Sequence, residues 1–484
     1  MNGIRRRIAF ILGIMCLILA IVAICQTYPK TESAADGVSE EVRWGRNLEA
    51  AARRSDKLVF VYRKGESFSP DVMRVLKQNY ICAQFDPRMW PADGEIFDAM
   101  ICGRSRVSMI FGIFTPRLAP LFLSADKTVV LDGEEVDLAA LLDRTAHFYY
   151  LDRRAAYSAG MRTYRENFPF RLPAKLEPGN RARGGVGKIG SERVSLALNG
   201  GGLGEFPLAS LTETLRLGVR LYAETSAPLL AKGLNKAAAE ASRRLDAASE
   251  LAERLLLARA LAEHAAAFPD ASVAEKLRRL GDTLLACQRA DGFFQTGTDV
   301  PSIRENCLAV AFLTRAEKAL KRREFLPAAL KAADALKRTL YAASELPAVA
   351  DMSLQSQASS YEYAFMANAF ADVFAETADG NFLKAAKFAL DEWEEKFMTP
   401  HGVWSVNSRN SQFGAYARSV ISEDLRLPSY IGEGLQAINK LRRLDSSFDA
   451  SAYAGPRRYE NLPESAEKSG GAPLHSSIRL SAFE

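Results

Sequence analysis

From Leu208 to about Leu444 the chain reads as helix after helix with Ala-rich apolar faces, and residues recur within it at a spacing of 57. Glu305 answers to Glu362, Phe325-Leu326 to Phe382-Leu383, Ala328-Ala329 to Ala385-Ala386, and Ala332 to Ala389. Each unit reads as a helical hairpin. Gly292-Phe293-Phe294 and Gly402-Val403-Trp404 mark loops between hairpins. Such a unit cannot bury its apolar face alone and must stack on its neighbours. Small Ala side chains let the helices approach closely. An array of this length closes into an all-α (α/α) toroid of helical hairpins over residues 208–444. Residues 445–484 are Ser, Gly, Pro and charge with little period, so a disordered tail is expected there.

Ahead of the array the pattern changes. Trp44–Arg54 places Trp44, Leu48 and Ala51/Ala52 on one helical face. Leu58–Tyr62 is a buried-strand signal. Pro70 opens a helix to Gln78, with Ser69 as N-cap. Ile81–Phe85, Met109–Phe114 and Leu121–Ser124 follow as strands, and a helix starts at Val136. This order predicts a small α/β layer over residues 42–150. Residues 151–207 form a connecting segment, irregular and rich in Gly and Pro from 171. It holds Gly185-x-Gly187-x-x-Gly190, formally a dinucleotide fingerprint. No strand precedes it and a strand-like run, Val194–Leu198, follows it. The pyrophosphate needs a helix N-terminus at that point, so we read a linker.

Ile8–Cys25 is 18 residues without a charge, and eleven of them are Ile, Leu, Phe or Val. A helix of that length spans ~27 Å, close to the hydrocarbon thickness. Arg5, Arg6 and Arg7 precede it and stay cytoplasmic by the positive-inside rule. The exit Ala23-Ile24-Cys25 lacks a small-x-small cleavage pattern, which favours an uncleaved anchor over a signal peptide. Residues 1–29 are thus read as a basic start and transmembrane helix, and 30–41 as a linker. The bulk is expected outside the cytoplasm, facing the periplasm from a bacterial inner membrane. There an oxidising environment allows disulfides. Cys287 and Cys307 flank a turn and could meet, but two buried free thiols are the favoured reading.

The motifs suggest a family. Trp44 through Phe60, Glu66-Ser67-Phe68, and Asn79-Tyr80-Ile81 on to Asp86 come first. Phe114-Thr115-Pro116, Tyr363-Ala364-Phe365, and Asp424 with Pro428-Ser429 follow in order. Together they resemble two-part proteins of the spermatogenesis-associated thioredoxin-domain type, which carry a thioredoxin-like domain ahead of an (α/α) six-hairpin toroid. The resemblance covers about residues 42–125 and 290–444. It implies an α/β thioredoxin-like domain over 42–150. The family's C-H-W-C-H segment is deleted here: Tyr62-Arg63-Lys64-Gly65 runs straight to Glu66. Its cis-proline site reads Val107-Ser108-Met109. Thiol exchange needs an attacking thiolate and a resolving partner. Cys82 lies in a core strand and Cys102 has no cysteine three residues away, so the domain is expected to be redox-inactive.

Toroids of this kind often process sugars with carboxylates at a funnel mouth beside aromatic platforms. By analogy Glu305, Glu362 and Asp424 are candidate catalytic residues, and Tyr361, Tyr363, Trp404 and His401 candidate binding residues. A glycosidase needs two carboxylates at a defined separation. The bland reading is that Glu305 and Glu362 serve the same helix position in each repeat, that the aromatics are core, and that Asp424 starts a helix. The four histidines lie outside ligand spacing, so no metal is expected, and no cofactor. No G-x-S-x-G elbow occurs. A net charge of +5 over 484 residues, with no basic stripe, argues against nucleic acid. Two readings remain open. One is a membrane-anchored protein with an inactive thioredoxin-like domain and a toroid that binds a glycan or protein partner. The other is a carbohydrate-active enzyme, glycosidase- or epimerase-like, using the toroid carboxylates.

Overall fold

In the computed structural model, residues 42–45, 47–102, 109–131, 134–167, 191–200, 202–296, 300–399, 402–408, 420, 424 and 426–453 are described. Two compact units divide the chain, one over 1–86 and 94–169, the other over 87–93 and 170–484. The anchor segment, the 30–41 linker, the glycine motif at 185–190 and His401 lie outside the described residues. No helix among the described residues is long and apolar enough to cross a membrane.

In the first unit the elements are β1 (Val42–Arg43), α1 (Leu48–Ser55), β2 (Leu58–Arg63), α2 (Pro70–Asn79), β3 (Tyr80–Phe85), α3 (Pro91–Cys102), β4 (Phe111–Phe114), β5 (Pro120–Ser124), the hairpin β6 (Val129–Leu131) and β7 (Glu134–Val136), α4 (Leu138–Leu151) and α5 (Arg153–Asn167). The main sheet has the order β1-β3-β2-β4-β5. Strand β3 runs parallel to both β1 and β2, while β4 and β5 run antiparallel to their neighbours. The run Leu58–Val61 is buried at every position, as a strand covered on both faces requires. Ser69 caps α2, its Oγ accepting from Val72 N–H at 3.4 Å, with Pro70 in the first turn. Trp44 departs from expectation. It lies ahead of α1 and is buried against Phe85 and Phe97, each at 5.5 Å between ring centroids. The large apolar area of the indole holds it in the core whatever the local helical period.

After residue 170, the first described element of the second unit is α6 (Ser191–Asn199), where a strand-like run was expected. Val194 and Leu198 are buried while Leu196 is 60% exposed, which is helical spacing and not strand alternation. A helix therefore does follow the glycine motif, which removes one of the two reasons for setting that motif aside. Arg244 donates to the carbonyls of Leu203, Gly204 and Phe206 and pins the turn that follows. Then come α7 (Leu208–Thr225), α8 (Pro228–Ala247), α9 (Leu251–Ala267), α10 (Ala271–Ala286), α11 (Ile303–Leu320), α12 (Phe325–Ala342), α13 (Ser360–Thr377), α14 (Gly380–Phe397) and α15 (Tyr430–Leu444).

These helices form a toroid. Helices α7, α9, α11, α13 and α15 pack side by side as an inner ring, and α8, α10, α12 and α14 back them from outside. The inner helices are buried nearly all round: α13 is buried at every position from Ser360 to Val373. The outer helices bury one face, as at Phe325, Ala328, Ala329, Ala332 and Leu336 of α12. The repeated Ala pairs sit on that face, where their small side chains admit the neighbouring helix. Matching loops close the repeats. In one, Arg289 N–H donates to Phe293 and Gln295 N–H to Cys287; in the other, Thr399 N–H donates to Val403 and Ser405 N–H to Phe397. Gly292 and Gly402 turn these loops at φ +107° and +70°, a conformation that favours glycine. The start of the expected tail is folded as far as residue 453. Tyr453 is buried and its hydroxyl donates to Asp391 at 2.6 Å. That contact joins residues 62 apart, so local periodicity carried no sign of it. Cys82, Cys287 and Cys307 are free thiols.

Candidate functional site

Glu362 is the third residue of α13. Its Oε2 accepts from Ser359 N–H at 2.6 Å, and Ser359 Oγ in turn serves the first turn, completing a capping box. Its Oε1 accepts from Arg304 Nε at 2.7 Å, and the Arg304 guanidinium lies 5.1 Å from the Tyr361 ring centroid. Glu305 holds the matching place on α11, where Ser302 Oγ accepts from Glu305 N–H. Asp424 is fully buried and accepts from Ser429 N–H at 2.8 Å, one residue before α15 begins. Tyr361 and Tyr363 are buried, and the Tyr363 hydroxyl accepts from Leu346 N–H. Trp404 is 0% exposed, stacks on Trp393 at 4.1 Å and donates from Nε1 to Glu394. The structure thus brings Glu362, Tyr361 and Arg304 together. Glu362→Ala removes a cap and a largely buried ion pair and should lower stability by about 2 kcal/mol. Glu362→Gln keeps the capping geometry and should cost clearly less; thermal melts of the two variants check the order.

The inner ring carries a second group of polar residues, which the motif reading missed. Every inner helix contributes: Glu213 and Arg216 from α7, Arg259 and Glu263 from α9, Arg315 from α11, Asn368 and Asp372 from α13, and Glu433, Gln436 and Lys440 from α15. Arg216 and Glu433 are 0% exposed and Arg259 1%. Arg216 donates to Glu213 at 2.6 Å, to Glu263 at 2.9 Å and to Gln436 at 3.2 Å. Arg259 donates to Glu433 at 2.9 Å, and Asn368 donates to the other oxygen of Glu433. Lys440 bridges Asn368 at 2.7 Å and Asp372 at 2.6 Å, and Arg315 reaches Asp372 at 2.8 Å. Helices α7 and α15, at the two ends of the ring, meet through these side chains, Arg216 with Glu433 and Gln436.

Four carboxylates (Glu213, Glu263, Asp372, Glu433) face four cations (Arg216, Arg259, Arg315, Lys440). Burial disfavours each charge, and the partners decide the outcome. For Glu263, burial is outweighed by Arg216, Arg315 and Arg220, and the carboxyl lies far below its usual range. For Asp372, burial is likewise outweighed by Arg315 and Lys440. For Glu433, burial is outweighed by Arg259 and Arg216, and its pKa is also lowered. Glu213 goes the other way: burial and the nearby Glu433 push it up against the pull of Arg216. Glu213 Oε1, Glu263 Oε2, Asp372 Oδ2 and the Nε and Nη2 of Arg259 are buried with no hydrogen-bond partner among the described residues. A sequence signal for this group exists. Glu213/Arg216/Arg220, Arg259/Glu263, Asn368/Asp372 and Glu433/Gln436/Lys440 are spaced by three and four on otherwise apolar helices, a polar ladder on one face.

With the geometry in hand, several solved structures prove similar to this chain. An inactive variant of an α-1,6-mannanase of Salegentibacter sp. HEL1_6, in complex with α-1,6-mannotriose, is 14% identical over 62% of this chain and 97% of that one, at a TM-score of 0.45. The unsaturated glucuronyl hydrolase of Bacillus sp. GL1 is 15% identical over 61% and 94%, at 0.46. A D-mannose isomerase is 10% identical over 57% and 86%, at 0.45. These neighbours are carbohydrate-active enzymes; the chemistry of this chain is read from its own residues. No protein-family model matches the chain, and no curated protein does.

Proposed function

We propose that this chain is a membrane-anchored, extracytoplasmic binding protein, with a redox-inactive thioredoxin-like domain and a toroid that holds a ligand or partner without turning it over. One observation carries the reading: the four acidic side chains of the inner-ring network, Glu213, Glu263, Asp372 and Glu433, are buried and tied to cations. A hydrolase needs a carboxylate pair that can reach substrate and water. Here Glu263, Asp372 and Glu433 are each held ionised by guanidinium or ammonium groups. The sheet order β1-β3-β2-β4-β5, with β4 and β5 antiparallel, supports the thioredoxin-like assignment. The turn from β2 to α2 has no cysteine, and Cys82 is buried in β3. The anchor rests on the uncharged run Ile8–Cys25. Release of the full chain by alkaline carbonate extraction would end that part of the reading.

A second reading, a carbohydrate-active enzyme, has its own support. Glu213 is pushed up while its neighbour Glu433 is pulled down, and opposed shifts in adjacent carboxyls are how acid and base roles are divided. One assay separates the two. The full chain in detergent is offered α- and β-linked aryl glycosides and mannan and glycosaminoglycan fragments. The expected result is no turnover above buffer. Turnover that disappears in Glu213→Gln would sink the binding-protein reading and establish the enzyme.

A further inference from the structure

The chain enters the first unit from the end of the sheet that also carries an exposed basic and apolar surface. Strand β1 runs parallel to β3 with Val42 opposite Ala83, so residue 42 stands three residues, about 10 Å, from the Tyr80 end of β3. Leu58 is opposite Tyr80, so β2 starts at that end too. Asp56, two residues before β2, ends α1 there and gathers α4 and α5 onto it. Its carboxylate accepts from the Tyr149 hydroxyl at 2.6 Å and pairs with Arg153. We propose that this end of the first unit docks on the membrane that anchors the chain, its arginines on anionic phospholipid headgroups and Tyr150 and Leu151 in the interface between them. The inference rests on the anchored reading of residues 1–29.

Tyr150 and Leu151 close α4 and are 44% and 47% exposed. Around them the surplus charge is positive. Arg53 and Arg153 are more than half exposed and pair with Glu49 and Asp56. Arg54 and Arg154 are exposed and have no partner among the described residues. Asp152 is engaged at the start of α5, accepting from Ala155 N–H at 2.8 Å. Two turns back on α4, the exposed Asp143 and Arg144 offset each other. A guanidinium suits a phosphate because it can donate two N–H bonds to it. Tyrosine and leucine beside such cations have the composition of a surface that lies in a headgroup layer. The tether selects a bilayer over an acidic protein. Sixteen residues, 26–41, separate the apolar run from β1. They reach at most about 55 Å fully extended and roughly 20 Å as a flexible chain. At that range the membrane is always near, so contacts too weak to capture a free protein suffice to orient a tethered one.

Cutting the tether tests this. The full chain, with a site-specific protease sequence placed within residues 30–41, is reconstituted into vesicles of phosphatidylcholine with or without phosphatidylglycerol. The tether is then cut and the vesicles are sedimented. The expected result is that the cut protein stays with the phosphatidylglycerol vesicles, leaves them at high salt, and leaves the neutral vesicles at once. Arg54→Gln/Arg154→Gln should weaken that retention at least about tenfold, since each arginine near an anionic surface accounts for roughly fivefold. Arg323→Gln/Lys331→Gln removes the same charge from exposed positions of the second unit and should change nothing. Equal retention on both kinds of vesicle, retention on neither, or an equal loss in the control variant overturns the proposal. Self-association of the cut protein that disappears in Arg54→Gln/Arg154→Gln, without vesicle binding, overturns it in favour of a second copy. An uncut chain that leaves the vesicles in alkaline carbonate ends the anchor reading instead, and this face is then judged by sedimenting the intact chain and the same variants with the same vesicles.

Discussion

Replacing Arg259 with Met should lower the stability of the toroid by about 3–5 kcal/mol, because it leaves a buried carboxylate with its main counter-charge gone. Arg259 is 1% exposed and donates to Glu433, itself 0% exposed. The remaining help for Glu433, Arg216 at 3.6 Å and the Asn368 amide, was already in place and cannot double. Chemical denaturation followed by far-UV circular dichroism measures the loss. The double variant Arg259→Met/Glu433→Leu should recover most of it, since an apolar pair of similar volume removes both desolvation costs. If the single and double variants are equally destabilised, the ion pair is not the cause. The same network sets an acid limit. Glu263 and Asp372 have folded-state pKa values below their unfolded values of about 4.3 and 3.9. Their contribution is therefore full above about pH 5 and drains away as pH falls through and below 4.

Trp393→Ala should cost a further amount of the same size in a different way, about 3–5 kcal/mol from lost apolar burial and the cavity left behind. Trp393 of α14 is fully buried, stacks on Trp404 at 4.1 Å with 22° between planes, and donates from Nε1 to Ser360 Oγ at 2.8 Å. Its ring lies on Gly434 of α15: a Cβ placed there would stand 2.2 Å from the indole. The bare glycine is what lets α14 reach α15 through this tryptophan. Trp393→Phe should lose less, since the six-membered ring keeps part of the stack while the bond to Ser360 goes. Thermal melts of the two variants give the order, and equal melts would mean the indole is not a packing centre.

Much of the fold is legible one residue at a time. Leu58–Tyr62 and Ile81–Phe85 are β-branched and aromatic runs, and each lies within the strand observed there. Ser69 ahead of Pro70 states a helix start in two residues. The spacing of 57 marks successive hairpins because equal units must present equal faces to equal neighbours. It even pairs neighbouring inner helices: Arg315 and Asp372, matching positions of two adjacent repeats, bond to each other. Trp44, the two-residue strand β1 and helix α6 were not legible, because each depends on a partner distant in sequence. In α6 the run Val194-Ser195-Leu196-Ala197-Leu198 alternates like a strand, and only packing against α7 and α8 selects the helical spacing.

By itself, then, the sequence determined the helical array from α7 onward, its hairpin period, the shared helix position of Glu305 and Glu362, and the absence of cysteine between β2 and α2, all of which are local in the chain. The tertiary structure decided which charges meet. Arg259 and Glu433 are 174 residues apart, and Arg216 and Gln436 are 220 apart. Each reads alone as a polar residue on an apolar helix. A buried charge is tolerable only opposite its partner, and which partner it faces follows from the order and tilt of packed helices, which no local pattern encodes.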